Sequence, residues 1–235
     1  MRIRDTIVAA GFCVFSAALL APGEAAAQTV VAPIAPRDGT WSTLSDVTMV
    51  INVGLVTLMP RIYYNDPEAT VGWKARWHIS MLAPALSVTA LTLLVDGPLR
   101  SAIKDPRPGC DADQTAASLP GSQCQSYGMP STHSFAAWGA TGAGTSIFLV
   151  DTFRYSGSRF NAGSFVGNVA VPLVLSVLTS VGRGVATAPN TFPTEDAPQV
   201  IVGTLSGFVT GALLGLGYSF LQRPNCGYGG NVVCW

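Results

Sequence analysis

Charged side chains are scarce in this chain of 235 residues. They make up 11% of the sequence, whereas 49% of it is hydrophobic; soluble domains carry about 25% charged residues. A composition so poor in charge argues against an ordinary soluble domain and indicates a membrane protein. The 13 basic and 13 acidic residues cancel to a net charge of zero, which excludes a nucleic-acid binder held by overall positive charge.

Histidine and cysteine are also rare, with two and five copies. No cysteines have the Cys-x-x-Cys spacing that is typical of zinc sites, and the histidines are too few to replace them. We therefore expect no metal and no other cofactor. Four cysteines form two close pairs, which predict short-loop disulfides in an oxidising compartment: Cys110 with Cys124, and Cys226 with Cys234. Unpaired thiols are the alternative, above all for the second pair.

The first 27 residues have the pattern of a targeting segment. Arg2 and Arg4 precede the apolar run TIVAAGFCVFSAALLA, and the small residues EAAA come before Gln28, as in a signal peptide cleaved after Ala27. An uncleaved first membrane helix is the alternative, because a run of roughly 16 apolar residues is at the short end for a span. Residues 28–43, which include VVAPIAPRDGTW, then form a proline-rich linker.

Five further apolar segments predict membrane-spanning helices, at about 44–60, 79–95, 134–150, 164–182 and 198–221. Small residues recur within them, as in AAWGATGAGTS and GTLSGFVTGALLGLG, and would let helix backbones approach closely. We expect an all-α polytopic bundle of about five spans over residues 44–221, with 1–27 as signal peptide or sixth span. Residues 222–235 form a C-terminal tail.

Basic residues are expected on the cytoplasmic side of such a bundle. If the chain starts outside, the inner connections hold a basic set that agrees with the positive-inside bias: Arg61, Lys74, Arg76, Arg154 and Arg159. The connections at about 96–131 and 183–197 then share the outer face. We expect a multi-pass protein of a bacterial-type inner membrane, with its site on the extracytoplasmic side. The same count places the tail inside, which conflicts with a disulfide there.

The first outer connection carries a basic cluster in DGPLRSAIKDPRPG. Arg100, Lys104 and Arg107 are spaced by four and three residues, so one helical turn would bring them to one side. Positive charge at the mouth of a low-dielectric bundle favours binding of a phosphate monoester. The alternative is that Asp96 and Asp105 neutralise part of the cluster while the other side chains reach the lipid headgroups.

The same connection ends in MPSTHS, directly before an apolar helix. Ser131 is a good N-cap residue, and the free N–H groups of a first helical turn favour an anion. His133 would lie in that turn, where it could give a proton to an oxygen that leaves a bound phosphate. An interfacial polar residue without chemistry is the alternative for His133.

The second outer connection lies in SVGRGVATAPNTFPTEDAPQV. Arg183 ends one helix, and Asp196 with Gln199 predicts a capping box for the next. Arg183 could meet the arginines of the first connection if the bundle brings the two together. A stabilising contact with the helix dipole alone is the alternative for this arginine.

This order of motifs resembles the type 2 phosphatidic acid phosphatase superfamily, which is related to the vanadium haloperoxidases. Its members are similar in three motifs: Lys-x6-Arg-Pro, Pro-Ser-Gly-His and Ser-Arg-x5-His-x3-Asp. This chain has Arg100 and Arg107-Pro108 in the first motif, with arginine for lysine. In the second it has Pro130-Ser131-Thr132-His133, with threonine for glycine. The resemblance covers roughly residues 79–221.

The resemblance implies a membrane phosphatase that acts on a lipid or prenyl phosphate at the outer face. Its phosphate oxygens would be held by Arg100, Arg107, Ser131, Thr132 and Arg183. His133 would be the general acid. The implied partners are a phosphorylated lipid or an inorganic oxyanion, together with the surrounding membrane lipids, and no nucleic acid. The sequence predicts no oligomeric state.

The third motif departs from the family pattern. Gly182 replaces its serine, and Pro189 stands six positions after Arg183, where the family has its nucleophilic histidine. With a two-residue longer connection, TFPTE matches the family's His-x-Pro-x-Asp, Thr191 standing for the histidine and Glu195 for the aspartate. A threonine hydroxyl needs a base to attack phosphorus, and Glu195 would serve Thr191 or a water as that base. A relative that binds phosphate without turnover is the alternative function.

Overall fold

We describe the protein from a computed structural model, which covers residues 36–59, 61–63, 74–76, 82–111, 115, 124 and 126–221. Five long helices make up most of these residues: α1 (Gly39–Leu58), α2 (Leu82–Ile103), α3 (Thr132–Val150), α4 (Ala162–Gly184) and α5 (Ala197–Leu221). Two short strands, β1 (Arg61–Tyr63) and β2 (Lys74–Arg76), pair antiparallel between α1 and α2.

The predicted all-α bundle is therefore confirmed, together with its five helices. The predicted targeting segment 1–27 lies outside the described residues. So does the tail with Cys226 and Cys234, whose disulfide stays a prediction.

Side-chain caps decide where several helices begin. Asp38, Ser131 and Asn161 accept hydrogen bonds from first-turn N–H groups of α1, α3 and α4, which have no carbonyl partner within the helix. Because Asp38 caps α1, this helix begins at Gly39, before the predicted span at 44–60, and takes in the end of the predicted linker.

The predicted capping box of α5 is confirmed. The N–H of Gln199 donates to the Asp196 carboxylate (2.9 Å), and the N–H of Asp196 donates to the side-chain oxygen of Gln199 (3.1 Å).

α2 continues about two turns beyond its predicted end at residue 95. Pro98 lacks an N–H, and the helix accommodates it by widening into a π-helical turn over Val95–Leu99. The helix then resumes an α-helical path and ends at Ile103, and the following residue, Lys104, has a left-handed φ of 58°. Arg100 is buried and Lys104 is exposed. The predicted alignment of Arg100, Lys104 and Arg107 on one side of a helical turn is therefore wrong.

α3 is the central helix of the bundle. Fifteen of its 19 residues are buried, and the other four helices all pack against it. α5 meets α3 along a row of buried glycines: Gly203, Gly207, Gly211 and Gly215. A Cβ at Gly207 or Gly211 would overlap the backbone of α3. Small residues at every fourth position are what allow two membrane helices to approach so closely.

The outer helices turn polar side chains inward and apolar ones outward. On α1, Thr48 and Asn52 are buried, whereas Val50 and Leu58 are exposed. Asn52 donates to the carbonyl of Ala137 on α3 (2.9 Å) and to a hydroxyl on α4. Such a distribution suits hydrocarbon outside and helix–helix hydrogen bonds inside. Among the described helices, α1, α2, α4 and α5 are long and apolar enough to cross a membrane.

The helices alternate in direction, so the starts of α1, α3 and α5 and the ends of α2 and α4 share one end of the bundle. We call this the loop end; it holds the α2–α3 connection (104–131) and the α4–α5 connection (185–196). Gln199, in the first turn of α5 directly after the α4–α5 connection, donates to the Asp105 carboxylate of the α2–α3 connection (2.7 Å). The prediction that both lie on one face is confirmed.

Gly211→Ala is expected to destabilise the bundle, because the new Cβ would overlap the backbone of Gly139 and push α3 and α5 apart. Overpacking typically costs about 1–3 kcal/mol. Gly217→Ala is the matched control on the same helix, since its added Cβ meets no atom within 4 Å among the described residues, apart from the backbone of its own helical turns. Thermal unfolding in detergent compares the two variants, and equal melting temperatures would contradict this account of the packing.

Candidate anion-binding site

Three segments close the loop end: residues 36–38, the α2–α3 connection and the α4–α5 connection. Arg37 donates to the carbonyls of Pro193 (3.1 Å) and Thr194 (2.7 Å). A disulfide joins Cys110 and Cys124, as predicted, and fastens the α2–α3 connection. The last residues of the predicted linker are therefore part of the closed end of the bundle.

Asp38 ties the start of α1 to the α4–α5 connection. One carboxylate oxygen accepts from the N–H groups of Thr40 and Trp41, and the other from the N–H groups of Thr187 and Ala188. These hydrogen bonds, that of Thr187 first, lower the pKa of Asp38 below its ordinary value. The carboxylate thereby holds the connection that carries Glu195.

Arg100 and Arg183 are the two buried cations of the site, 2% and 4% exposed. Nη1 of Arg100 donates to the Asp96 carboxylate (2.7 Å), and Nη2 of Arg183 donates to the Asp46 carboxylate (2.8 Å). Nε and Nη2 of Arg100 and Nε of Arg183 have no hydrogen-bond partner among the described residues. Buried N–H groups are almost always paired, so these three mark a place where an acceptor can bind.

Glu195 supplies a buried negative charge beside these donors. Its side chain is fully buried, and its Oε1 lies 3.6 Å from Nη2 of Arg100, too far for a hydrogen bond. Within the described part of the chain, neither carboxylate oxygen has a hydrogen-bond partner. Arg37, Arg107 and Arg183 also attract it electrostatically. Glu195 is thus a shared counter-charge for four arginines.

Arg107 lies at the edge of this cluster, where its Nε donates to the carbonyl of Ser126 (3.2 Å). Burial is the main reason that its pKa falls to about 10; attraction by Glu195 acts in the opposite direction, and repulsion by the other arginines adds to the fall. At neutral pH this guanidinium stays protonated, so Arg107 keeps its charge in the site.

His133 lies in the first turn of α3 between the two buried arginines. Its Nε2 is 3.0 Å from the Asp46 oxygen that also accepts from Arg183. Its Nδ1 is 3.5 Å from the hydroxyl of Thr132, which accepts from Nη1 of Arg100 (3.3 Å). The imidazole is therefore linked to Arg183 through Asp46 and to Arg100 through Thr132.

The remaining predicted residues have other surroundings. The hydroxyl of Ser131 accepts from the N–H of Ser134 and donates to its hydroxyl, so it serves as the cap of α3. The Thr191 hydroxyl donates to the carbonyl of Ala188 (2.7 Å). The described residues show no hydrogen bond from Thr191 to Glu195 or to His133, so the geometry does not support Thr191 as a nucleophile activated by Glu195.

Asp46 and Arg37 belong to the site but are absent from the sequence prediction. Asp46 is the single charged residue of α1, and an aspartate in an apolar membrane helix is itself a signal of function. Arg37 offers no such signal, because it falls in a segment that reads as a linker.

Comparison of the chain with protein-family models, curated proteins and solved structures finds no match in any of the three. The motif resemblance therefore stays a prediction, and the function is argued from the site.

Asp38→Asn is expected to lower the melting temperature at neutral pH, because the amide accepts hydrogen bonds less strongly than the carboxylate. The pKa of Asp38 is lower in the folded protein than in the unfolded chain, where it is about 3.9. The stability from the charge is thus fully present above about pH 4 and is lost as the pH falls through the folded pKa. Thermal unfolding between pH 3 and 7 should show the two proteins converging in acid. A constant difference would contradict a role for the charge.

Proposed function

We propose that this protein binds a phosphate monoester of a lipid or prenyl alcohol at the loop end of its membrane bundle. The observation that carries this proposal is the set of unpaired, buried N–H donors on Arg100 and Arg183. Guanidinium groups match the geometry of phosphate oxygens and bind them with charge-assisted hydrogen bonds. Arg107 adds a third cation to the same site.

The exposure of the site supports a ligand with an organic group. Arg100, Arg183 and Glu195 are buried, but the side chains of His133 and Asp46 are 27% and 53% exposed. The phosphoryl group would bind at the buried side, and the alcohol would leave past His133 and Asp46. A lipid alcohol could then continue along the apolar outer surface of the helices.

The motifs support the same proposal by resemblance. The three motifs contribute four residues that are linked in the structure through hydrogen bonds and through Asp46: Arg100, Thr132, His133 and Arg183. We therefore propose membership of the type 2 phosphatidic acid phosphatase superfamily. With the basic connections inside, the loop end would face the extracytoplasmic side of a bacterial-type inner membrane.

Hydrolysis is the second candidate function, favoured by the contact between Asp46 and His133. A carboxylate on Nε2 orients the ring. Burial, and then repulsion by Arg183, lower the pKa of His133 to about 3, so the protonated form that can give a proton to the departing alkoxide depends on the negative charge of the bound phosphate. Among the described residues His133 is the sole histidine. Water is therefore the proposed nucleophile: its oxygen bonds to phosphorus while the bond to the alcohol breaks. The alkoxide takes the proton of His133, one proton of the water stays on the phosphate as a P–OH group, and the other restores His133.

Arg183→Gln and Arg100→Gln are each expected to weaken binding of a short-chain phosphatidic acid about tenfold or more, since a hydrogen bond to a charged group contributes about 1.5–3 kcal/mol. Arg159→Gln is the control, because this arginine follows α3 at the opposite end of the bundle. Titration calorimetry in detergent measures all three. If the control weakens binding as much as the two site variants, the ligand does not bind in this site.

His133→Ala is expected to abolish phosphate release from the same lipid, and Asp46→Asn to lower kcat about 10- to 100-fold with little change in KM. Thr191→Ala should leave turnover within twofold of wild type, because its hydroxyl is bound to Ala188. Release of inorganic phosphate by purified protein measures each effect. Binding without release in the wild type would favour the non-catalytic alternative.

A further inference from the structure

We infer that the phosphate bound in this site carries a proton, shared between one phosphoryl oxygen and Glu195. The inference rests on the proposed function and specifies which anions the site accepts. An oxyanion that carries a proton or readily takes one up, such as phosphate or a phosphate monoester, would bind, whereas sulfate, a much weaker base, would bind far more weakly.

The first reason is that unpaired donors and unpaired acceptors lie side by side. Among the described residues, both oxygens of Glu195 lack a hydrogen-bond partner, as do the Nε and Nη2 groups of Arg100 and the Nε of Arg183. Oε1 of Glu195 and Nη2 of Arg100 are 3.6 Å apart. A ligand in this site must therefore satisfy both kinds of group, because an unpaired buried polar atom is costly.

A fully deprotonated oxyanion satisfies only the arginines. Its oxygens accept from the guanidinium groups, but they offer no hydrogen to Glu195 and repel its carboxylate. A phosphate with one P–OH group satisfies both, since the hydroxyl donates to Glu195 while the other oxygens accept from arginine. The complex contains the same number of protons if Glu195 is neutral and donates to a phosphate dianion. The number of protons taken up on binding is therefore the same whether the phosphate oxygen or the Glu195 oxygen holds the shared proton.

Among the described residues, the other charged groups near Glu195 form no hydrogen bond with its carboxylate. Four guanidinium groups attract the carboxylate of Glu195. They are Arg37 before α1, Arg100 in α2, Arg107 in the α2–α3 connection and Arg183 in α4. Three further titratable groups belong to the same network: Asp46, Asp96 and His133. Both aspartates already accept from an arginine, and His133 contacts Asp46. The extra proton therefore arrives with the ligand or from solvent.

Two consequences distinguish this arrangement from a simple cationic pocket: phosphate binds more tightly than sulfate, and binding of a phosphate monoester takes up a proton. Inorganic phosphate retains a P–OH group at pH 8, whereas sulfate has none. A phosphate monoester, whose second pKa is about 6, is a dianion without a P–OH at that pH. Its binding must therefore take up about one proton from solvent, whereas binding of inorganic phosphate takes up almost none.

Titration calorimetry of the full chain in detergent at pH 8 tests this with three probes: inorganic phosphate, methyl phosphate and sulfate. Each titration is run in two buffers of different ionisation enthalpy, which gives the number of protons taken up. We expect about one proton for methyl phosphate, close to zero for inorganic phosphate, and sulfate binding at least tenfold weaker than phosphate. The wild type alone decides the question.

Glu195→Gln provides the matched variant, because the amide keeps the shape of the side chain and can donate to an oxyanion. Proton uptake with methyl phosphate should fall to near zero, and sulfate should bind within about threefold of phosphate. Arg159→Gln, at the far end of the bundle, should behave like wild type. Retained binding of inorganic phosphate would show that the Glu195 variant is folded.

The failures can be told apart. Equal affinity for phosphate and sulfate in the wild type, without proton uptake, would overturn the inference and leave the anion site in place. If none of the three anions binds, the proposed function fails together with the inference.

Discussion

Burial of the two guanidinium groups of Arg100 and Arg183 is the constraint on which the site depends. An ion that leaves water loses several kcal/mol of hydration free energy, and only opposite charge and well-placed hydrogen bonds offset that loss. Asp96 forms an ion pair with Arg100 and Asp46 forms one with Arg183. Glu195 lies beside both arginines. The hydrogen bonds are nevertheless incomplete among the described residues. In the proposed function, this incompleteness is the physical origin of an affinity for an anion.

The rest of the fold holds these charges in place. Glycines on α5 let it approach the backbone of α3, which brings Gln199 to the start of that helix. Gln199 is fully buried; its carbonyl accepts from the N–H of Ser131, and its side chain donates to Asp105 and to the carbonyl of Pro106. One residue, through its backbone carbonyl and its side chain, thereby couples the start of α5 to both ends of the α2–α3 connection. Asp38 fixes the α4–α5 connection in the same way.

Sequence patterns predicted the helices well because long apolar segments have few alternative structures. The errors lie at their ends, where single residues decide: Asp38 starts α1 early, and the π-helical turn at Pro98 lets α2 continue. Motif spacing also identified Arg100, His133, Arg183 and Glu195, which the structure brings together. It could not find Asp46, since its contact with Arg183 spans 137 positions and depends on how α1 packs against α4. Nor could alignment of TFPTE reveal that the Thr191 hydroxyl binds a backbone carbonyl.

The contact of Asp46, which the motifs missed, links His133, the proposed acid, to Arg183 of the candidate anion site. One oxygen of Asp46 is shared by His133 and Arg183. When His133 gains a proton, it attracts this oxygen more strongly, and Arg183 loses part of its counter-charge. An anion bound to Arg183 replaces that charge, and the anion in turn stabilises a protonated imidazole nearby. Protonation of His133 and binding of an oxyanion should therefore favour each other. In the proposed hydrolysis, binding of the phosphate monoester would thus itself favour the protonated His133 that the reaction needs.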